Sequence, residues 1–292
     1  MPQITVVGSV NADLTVTVAR HPQPGETLLA AGGATTPGGK GANQACAAAK
    51  LGAQVALVGA VGRDANAQIA TAELERAGVD LTHLERVEEV TGLAVITVAD
   101  GGENTILVVP GANAAVDARL IDAHAEAIEA ADLLLLQGEI PADGIARAVE
   151  LARGRVVINL APVIDIPREV LLRADPLIVN EHEARCLCEQ LRIDDSVTAL
   201  TGTGIASVVV TRGAEGALVA DARGVKEVAS PAVEAVDTVG AGDAFAGALC
   251  HRLTQGDLLA DAARFACRVG AFSVTRPGAQ TSYPGPGDEL PG

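Results

Sequence analysis

The chain of 292 residues has no tryptophan, one tyrosine and three phenylalanines. A core so poor in aromatics must be assembled from alanine, valine, leucine and isoleucine, and stacking on rings is nearly closed to it as a way of gripping a ligand. Basic residues are also short: 21 Lys and Arg against 37 Asp and Glu, a formal charge of -16. That balance argues against nucleic acid and against an anionic membrane surface as partners. It also serves solubility. Any phosphate site must therefore be built from backbone amides and a few cations. The five cysteines, Cys46, Cys186, Cys188, Cys250 and Cys267, form no CxxC pair. Most lie in helical or apolar patterns, so reduced core thiols are expected. There is no charged leader with an apolar run, and no uncharged apolar stretch of about 18 residues. The expectation is a cytoplasmic protein with no disulfide framework and no membrane partner.

Half the residues are hydrophobic (49%), enough at this length for a sizeable core. Apolar runs at 4–8, 55–58, 133–136, 156–160, 177–179 and 207–211 read as buried strands. Helical patterns at 65–77, 117–130, 143–152, 167–173, 182–191, 195–203, 244–253 and 258–273 alternate with them. Such alternation predicts an α/β fold, with a doubly wound, mainly parallel sheet flanked by helices. Two further pairs of extended runs stand outside the pattern. One is 14–18 with the stretch around 26–28, turning at His21-Pro22-Gln23-Pro24-Gly25. The other is 93–98 with 105–109, turning at Asp100-Gly101-Gly102-Glu103. They predict a small β-sheet from about 14–31 and 93–109, which needs a partner for its apolar face. No repeat or linker divides the chain, so 1–292 reads as one unit. The tail 283–292, with three Pro and three Gly, should be ragged.

Polar residues gather where strands should end, the place where open α/β sheets bind ligands. They are Asn11 and Asp13, Gln137 and Glu139, Asn159, and Asn180 with Glu183. Taken singly, Asn11 and Asp13 could be turn formers. Asn180 and Glu183 could be a capping box or could hold Mg²⁺ water and phosphate oxygens. Pro37-Gly38-Gly39-Lys40-Gly41-Ala42-Asn43-Gln44 is a glycine-rich loop running into a helix, yet it lacks the P-loop spacing. Lys40 and Asn43 could hold polyol hydroxyls, or be a solvated lysine and a helix-turn residue. Thr211-Arg212-Gly213-Ala214-Glu215-Gly216 could be a tight hairpin or the floor of a nucleotide site. The decisive stretch is Asp237-Thr238-Val239-Gly240-Ala241-Gly242-Asp243, entered by an extended run 233–236 and left by a helix. Uncovered amides at a helix N-terminus form an anion site. Asp243 beside it is either a cap or a base that takes a proton from an attacking hydroxyl.

Together these motifs resemble the ribokinases of the PfkB carbohydrate kinase family, in consistent order from Ile4 to Ser282. Gly38 to Gln44 and Asp237 to Asp243 carry most of the likeness. Asn11-Ala12-Asp13, Asn180-Glu181-His182-Glu183 and Thr275-Arg276-Pro277-Gly278-Ala279-Gln280 are of the same type. The resemblance implies a ribokinase-like fold whose small sheet is a lid that clasps a second subunit into a homodimer. The implied reaction moves the ATP γ-phosphoryl group to the 5-hydroxyl of D-ribose, with Asp243 as base and Gly240, Ala241 and Gly242 as the anion hole. Asn11, Asp13, Gly39, Lys40, Gly41, Asn43 and Glu139 match sugar-binding positions, and Ala94, Ile96 and Val108 the apolar lid contacts. Asn180, Glu183, Thr211, Arg212, Gly213, Gly216, Gly242 and Cys267 match the nucleotide site. Glu183 belongs to a motif tied to Mg²⁺. An activating monovalent cation, K⁺, would sit by Asp237, Val239, Ser273, Arg276, Gly278 and Ser282. Another sugar or a nucleoside as acceptor, or a non-catalytic sensor, are the alternatives. The chain departs from the family pattern at Gly138 and at Leu160. It also ends soon after Ser282, where the family has a further helix.

Overall fold

The computed structural model describes residues 3–292. β1 (Gln3–Val7), β2 (Asn11–Val18) and β3 (Gly32–Gly38) lead into α1 (Lys40–Lys50). β4 (Gln54–Val61), α2 (Ala65–Ala77), β5 (Leu84–Arg86), β6 (Gly92–Ala99) and β7 (Asn104–Val109) follow. Next come α3 (Ala118–Ala123), α4 (Ala125–Glu129), β8 (Leu133–Gln137), α5 (Ala142–Leu151) and β9 (Arg155–Asn159). Then follow α6 (Arg168–Leu171), β10 (Leu177–Asn180), α7 (Glu181–Leu191) and α8 (Val197–Gly202). β11 (Val208–Thr211), β12 (Ala217–Asp221) and β13 (Gly224–Val228) precede α9 (Ala241–Thr254) and α10 (Leu259–Ser273).

Nine strands form one sheet in the order β13-β12-β11-β10-β9-β8-β1-β4-β5. The strands from β5 to β11 pair in parallel, and only β12 and β13 run antiparallel at one edge. Leu133 to Leu136 are all buried because the sheet is covered on both sides. α1, α2, α9 and α10 pack one face, and α3 to α8 the other. β1 has β4 on one side and β8 on the other, so the chain changes winding direction there and leaves a crevice at the strands' carboxyl ends. The second sheet, β3-β2-β6-β7, joins the two hairpins through the parallel pair β2 and β6. All five cysteines are unpaired. Among the described residues, no helix is long and apolar enough to cross a membrane.

Four local expectations are corrected. β3 lies at 32–38 rather than around 26–28. Residues 19–31 close on themselves as a loop instead, with Glu26 paired to Arg20 and accepting the Gln23 amide at 3.0 Å. The run 233–236 is not a strand. The amides of Val236 and Asp237 both go to the Val274 carbonyl beyond α10 (2.7 and 3.1 Å), so the end of the run bonds to a helix terminus and not to a neighbouring strand. The helix expected at 117–130 breaks at His124, whose ring contacts His83 Nδ1 (3.3 Å) and Glu85 (3.1 Å). The tail is not ragged. Tyr283 is 4% exposed, Leu290 packs on the core, and Arg268 donates to the Pro291 and Leu290 carbonyls at 2.7 and 2.9 Å.

α1 and α9 approach closely because both are lined with alanine and glycine. A Cβ added at Gly247 would lie 2.5 Å from the Gln44 carbonyl oxygen and 2.8 Å from the Ala47 methyl. Gly247→Ala should therefore destabilise the fold by about 1–3 kcal/mol in a denaturant titration, with unchanged stability the outcome that contradicts this packing.

Candidate active site

Five strands of the main sheet end in polar side chains or turns at one edge. Gln137 stands opposite Asn159, and Asn180 opposite Thr211, in the strand registers. Beyond β1, Ser9 and Val10 carry the chain into the small sheet. There Asn11 and Asp13 point to one face because residues two apart in a strand do so. Asp13, Ala94 and Val108 pair across that sheet in one row, with Ile96 two residues further along β6. The Asn11 side-chain Oδ1 accepts from Asn113 Nδ2 at 2.7 Å, and Asn113 Oδ1 in turn accepts the Val10 amide at 2.8 Å.

Asp13 packs against the bare α-carbon of Gly38, where a Cβ would fall 2.1 Å from the carboxyl group. One of its oxygens is buried with no partner among the described residues. Burial, then the charges of Glu139 and Asp243, push its pKa up to about 7 against the opposing pull of Lys40. Glu139 accepts from the Ser9 hydroxyl (2.6 Å) and the Lys40 amide (3.0 Å), while Ser9 accepts the Gly41 amide at 3.3 Å. Gly39 is the left-handed residue (φ 86°) that turns the chain from β3 into α1. The Lys40 ammonium faces Asp243, Glu139, Glu183 and Asp13, and Asp243 above all holds its pKa above the ordinary lysine value.

Asp243 lies in the first turn of α9, 6% exposed. Asn43 Nδ2 donates to one of its oxygens and Gln44 Nε2 to the other, both at 2.9 Å. Gln44 also donates to Asn159 (2.8 Å) and accepts from Gln137 (2.8 Å), while Gln280 donates to Asn43 (3.0 Å). The helix-cap reading is not what the side chain does, since its partners are side chains of α1. Gly240 is the left-handed cap residue (φ 73°), and the Ala241 amide is taken by the Thr238 carbonyl at 3.3 Å. Among the described residues no acceptor faces the amides of Gly242 and Asp243. A Cβ at Gly242 would meet open space.

That open space is the end of a cavity of about 510 Å³. Thr211, Gly213 and Gly216 line it from the β11–β12 turn, which is also the tight hairpin that the sequence allows. Ser230 to Val233 line it from the loop after β13, and Cys267 from α10. Burial pushes the Cys267 thiol up to about 11, so it offers a neutral wall. Arg212 does not line the cavity; it is drawn towards Glu215 (3.7 Å) and Glu227 (3.9 Å). Asn180 and Glu183 form a reciprocal capping box on α7, both bonds 2.8 Å, and neither lines the cavity. Glu183 still faces Lys40 and Asp243, with its pKa raised chiefly by burial.

Asp237 joins two loops, its carboxylate accepting the amides of Val239 (3.0 Å) and Gly278 (2.8 Å). Ser273 and Ser282 donate their hydroxyls to the Gly270 and Ala279 carbonyls, both at 2.8 Å. The Arg276 guanidinium lies 3.9 Å over the Phe272 ring and takes no part in that junction. Among the described residues no group of three or more His, Cys, Asp or Glu side chains could hold a metal. Gly138 has a local cause: a Cβ there would fall 2.0 Å from the Pro162 carbonyl oxygen. Gln44, Asn113, Gln280 and Tyr283 reach the site without having been assigned to it from sequence. Gln44 and Gln280 stood inside quoted motifs, but only the fold aims them at their partners.

The family model for pfkB family carbohydrate kinases matches residues 1–286. The ribokinase of Haemophilus influenzae is 36% identical over 291 residues, covering 96% of this chain and 95% of that one. The deoxyribokinase of Salmonella typhi is also 36% identical, over 293 residues and with the same coverages. The structure of Arabidopsis thaliana ribokinase complexed with ribose and ATP superposes with a TM-score of 0.90 at 32% identity, over 98% of this chain and 96% of that one.

In the free protein the Asp13 carboxyl carbon should titrate near pH 7 by NMR. Glu139→Gln should lower that midpoint and Lys40→Met raise it, since the first removes a like charge and the second an opposite one. A midpoint in the ordinary carboxylate range would contradict the buried, crowded setting.

Proposed function

The chain belongs to the PfkB family of carbohydrate kinases, and within it we propose that this protein transfers the γ-phosphoryl group of ATP to the 5-hydroxyl of D-ribose. That it is a sugar kinase of ribokinase type follows from the family and its full-length relatives. The finer reading is carried by one observation. Asp243 stands between the two halves of the site: its carboxylate is held by Asn43 and Gln44 of α1, which follows β3, and the residue before it, Gly242, lines the cavity of about 510 Å³.

Asn11, Asp13, Gly39, Lys40, Gly41, Asn43 and Glu139 surround the sugar in this reading. The partnerless oxygen of Asp13 supports it, since a buried acceptor left unpaired calls for a donor such as a hydroxyl. The Asp243 carboxylate has lone pairs to spare beyond those used by Asn43 and Gln44, and it takes the proton of the attacking hydroxyl. The amides of Gly242 and Asp243, at the positive end of α9, meet charge on the transferring phosphoryl oxygens. Lys40 adds a cation beside them. Thr211, Gly213, Gly216 and Cys267 flank the nucleotide, with Asn180, Glu183 and Arg212 at its margin. Glu183, facing Lys40 and Asp243, would hold Mg²⁺ through water in this reading. When bound, Mg²⁺ neutralises the β and γ phosphates. The loops tied by Asp237 would offer backbone oxygens of Val239, Ser273, Arg276, Gly278 and Ser282 to K⁺. The small sheet serves as the lid that keeps water from the phosphoryl group. The unpaired cysteines suit a cytoplasmic setting.

A second reading, 2-deoxyribose as acceptor, is favoured by the deoxyribokinase relative. A nucleoside is less well served: the four aromatic side chains lie in α9, α10 and the tail, and none is in the small sheet to stack on a base.

β7 is exposed along its whole length as an edge strand, with Leu107 66% exposed. We propose that it pairs with a second copy of this chain, because an apolar edge of this kind invites another strand. Leu107→Lys should shift sedimentation from dimer to monomer, and an unchanged dimer would place the interface elsewhere.

Asp243→Asn should keep the fold and lower kcat by about 10²–10⁴-fold in an ATP-coupled assay. Ribose should exceed 2-deoxyribose, fructose and adenosine in kcat/KM. A variant as fast as the parent removes Asp243 as base, and preference for another acceptor removes ribose.

A further inference from the structure

The sole tyrosine of the chain lies in the docked tail, and its ring is buried against the start of α9. Gly240 leads into that helix with a left-handed backbone (φ 73°). A Cβ added there would lie 2.5 Å from the Tyr283 hydroxyl and 2.7 Å from the Ala279 methyl, so only glycine fits both the conformation and the space. The Gly240 carbonyl accepts the Ala244 amide (2.8 Å), the first bond of the helix, and also the Tyr283 hydroxyl (3.0 Å). The next amide, of Ala241, is bonded to Thr238. The peptide plane between residues 240 and 241 is thus held at both ends. Every amide that follows, including those of Gly242 and Asp243, takes its direction from that plane.

We propose that Tyr283 is a positioning residue, whose hydroxyl latches the Gly240 carbonyl and so aims the Gly242 and Asp243 amides and the Asp243 carboxylate. The effect on catalysis rests on the reading of Asp243 given above. Burial, and next the Asp243 charge, hold the phenol well above its ordinary pKa, so it remains a donor at working pH. The same short segment braces the carboxylate from the other side, since Gln280 orients Asn43. A stretch with no contact to the cavity in its own right therefore bears on both the backbone and the side chain of one residue.

Tyr283→Phe deletes the hydroxyl and keeps the ring. It should lower kcat about fivefold, the loss of one hydrogen bond's worth of alignment, with KM for the sugar unchanged. It should also speed hydrogen exchange of the Ala244 amide, a readout that needs no turnover. Arg268→Gln frees the Leu290 and Pro291 carbonyls without touching Tyr283 and should leave kcat as in the parent. Parental kcat and exchange in Tyr283→Phe would overturn the latch, as would an equal loss of kcat in Arg268→Gln. If the parent phosphorylates no sugar while exchange is still faster in Tyr283→Phe, the latch stands and the reading of Asp243 falls.

Discussion

Two neighbouring amide side chains on α1 grip one carboxylate on α9, and this contact joins residues 200 and 199 positions apart in the chain. A carboxylate can only accept, so Asn43 and Gln44 must turn their NH₂ groups inward. Their own oxygens then face outward and need donors, which Gln280 and Gln137 supply. The polarity set by one negative charge thus runs through four further side chains. It ends at the oxygens of Gln137 and Gln280, both buried and both without partners among the described residues. A network arranged in this way aims two donors at the oxygens of Asp243.

The acidity of the site looks at odds with phosphate chemistry, since Asp13, Glu139, Glu183 and Asp243 crowd around a single lysine. The geometry separates the two tasks. In the function proposed above, the carboxylates hold hydroxyls and the bare amides at a helix end meet the phosphate. A chain carrying -16 charges can therefore serve an anionic substrate without any basic face. The arrangement is costly in its own right: burial first, and then the charges of Glu139 and Asp243, raise the pKa of Asp13. Functional sites commonly hold such unfavourable electrostatics, with the surrounding fold supplying the stability.

The α/β alternation, the strand-end polar clusters and the two glycine-bounded motifs were legible because each is a local pattern. Apolar runs of Leu133 to Leu136 type signal a two-sided burial, and glycine before a helix signals an open backbone. Pairings across long separations were not legible. Gln44 reads as one more polar residue in a helix until the fold sets it against Asp243. Asn113 sits in a stretch of small residues that hides its contact with Asn11. Asn180 and Glu183 form the capping box that was one of their two local readings, and the site adds only the nearness of Glu183 to Lys40. The run 233–236 has strand composition, but its last amide, that of Val236, is claimed by the end of α10, a competition no window of sequence displays. The tail misled in the opposite direction, because proline and glycine content says nothing of the carbonyls that Arg268 holds.

The scarcity of aromatic residues has a spectroscopic consequence. Without tryptophan, no second fluorophore drains the excitation of the lone phenol ring. That ring sits with its hydroxyl on the Gly240 carbonyl and near Asp243. The native protein thus carries a single built-in optical reporter at its α9 cap, readable in unlabelled material as ligands arrive.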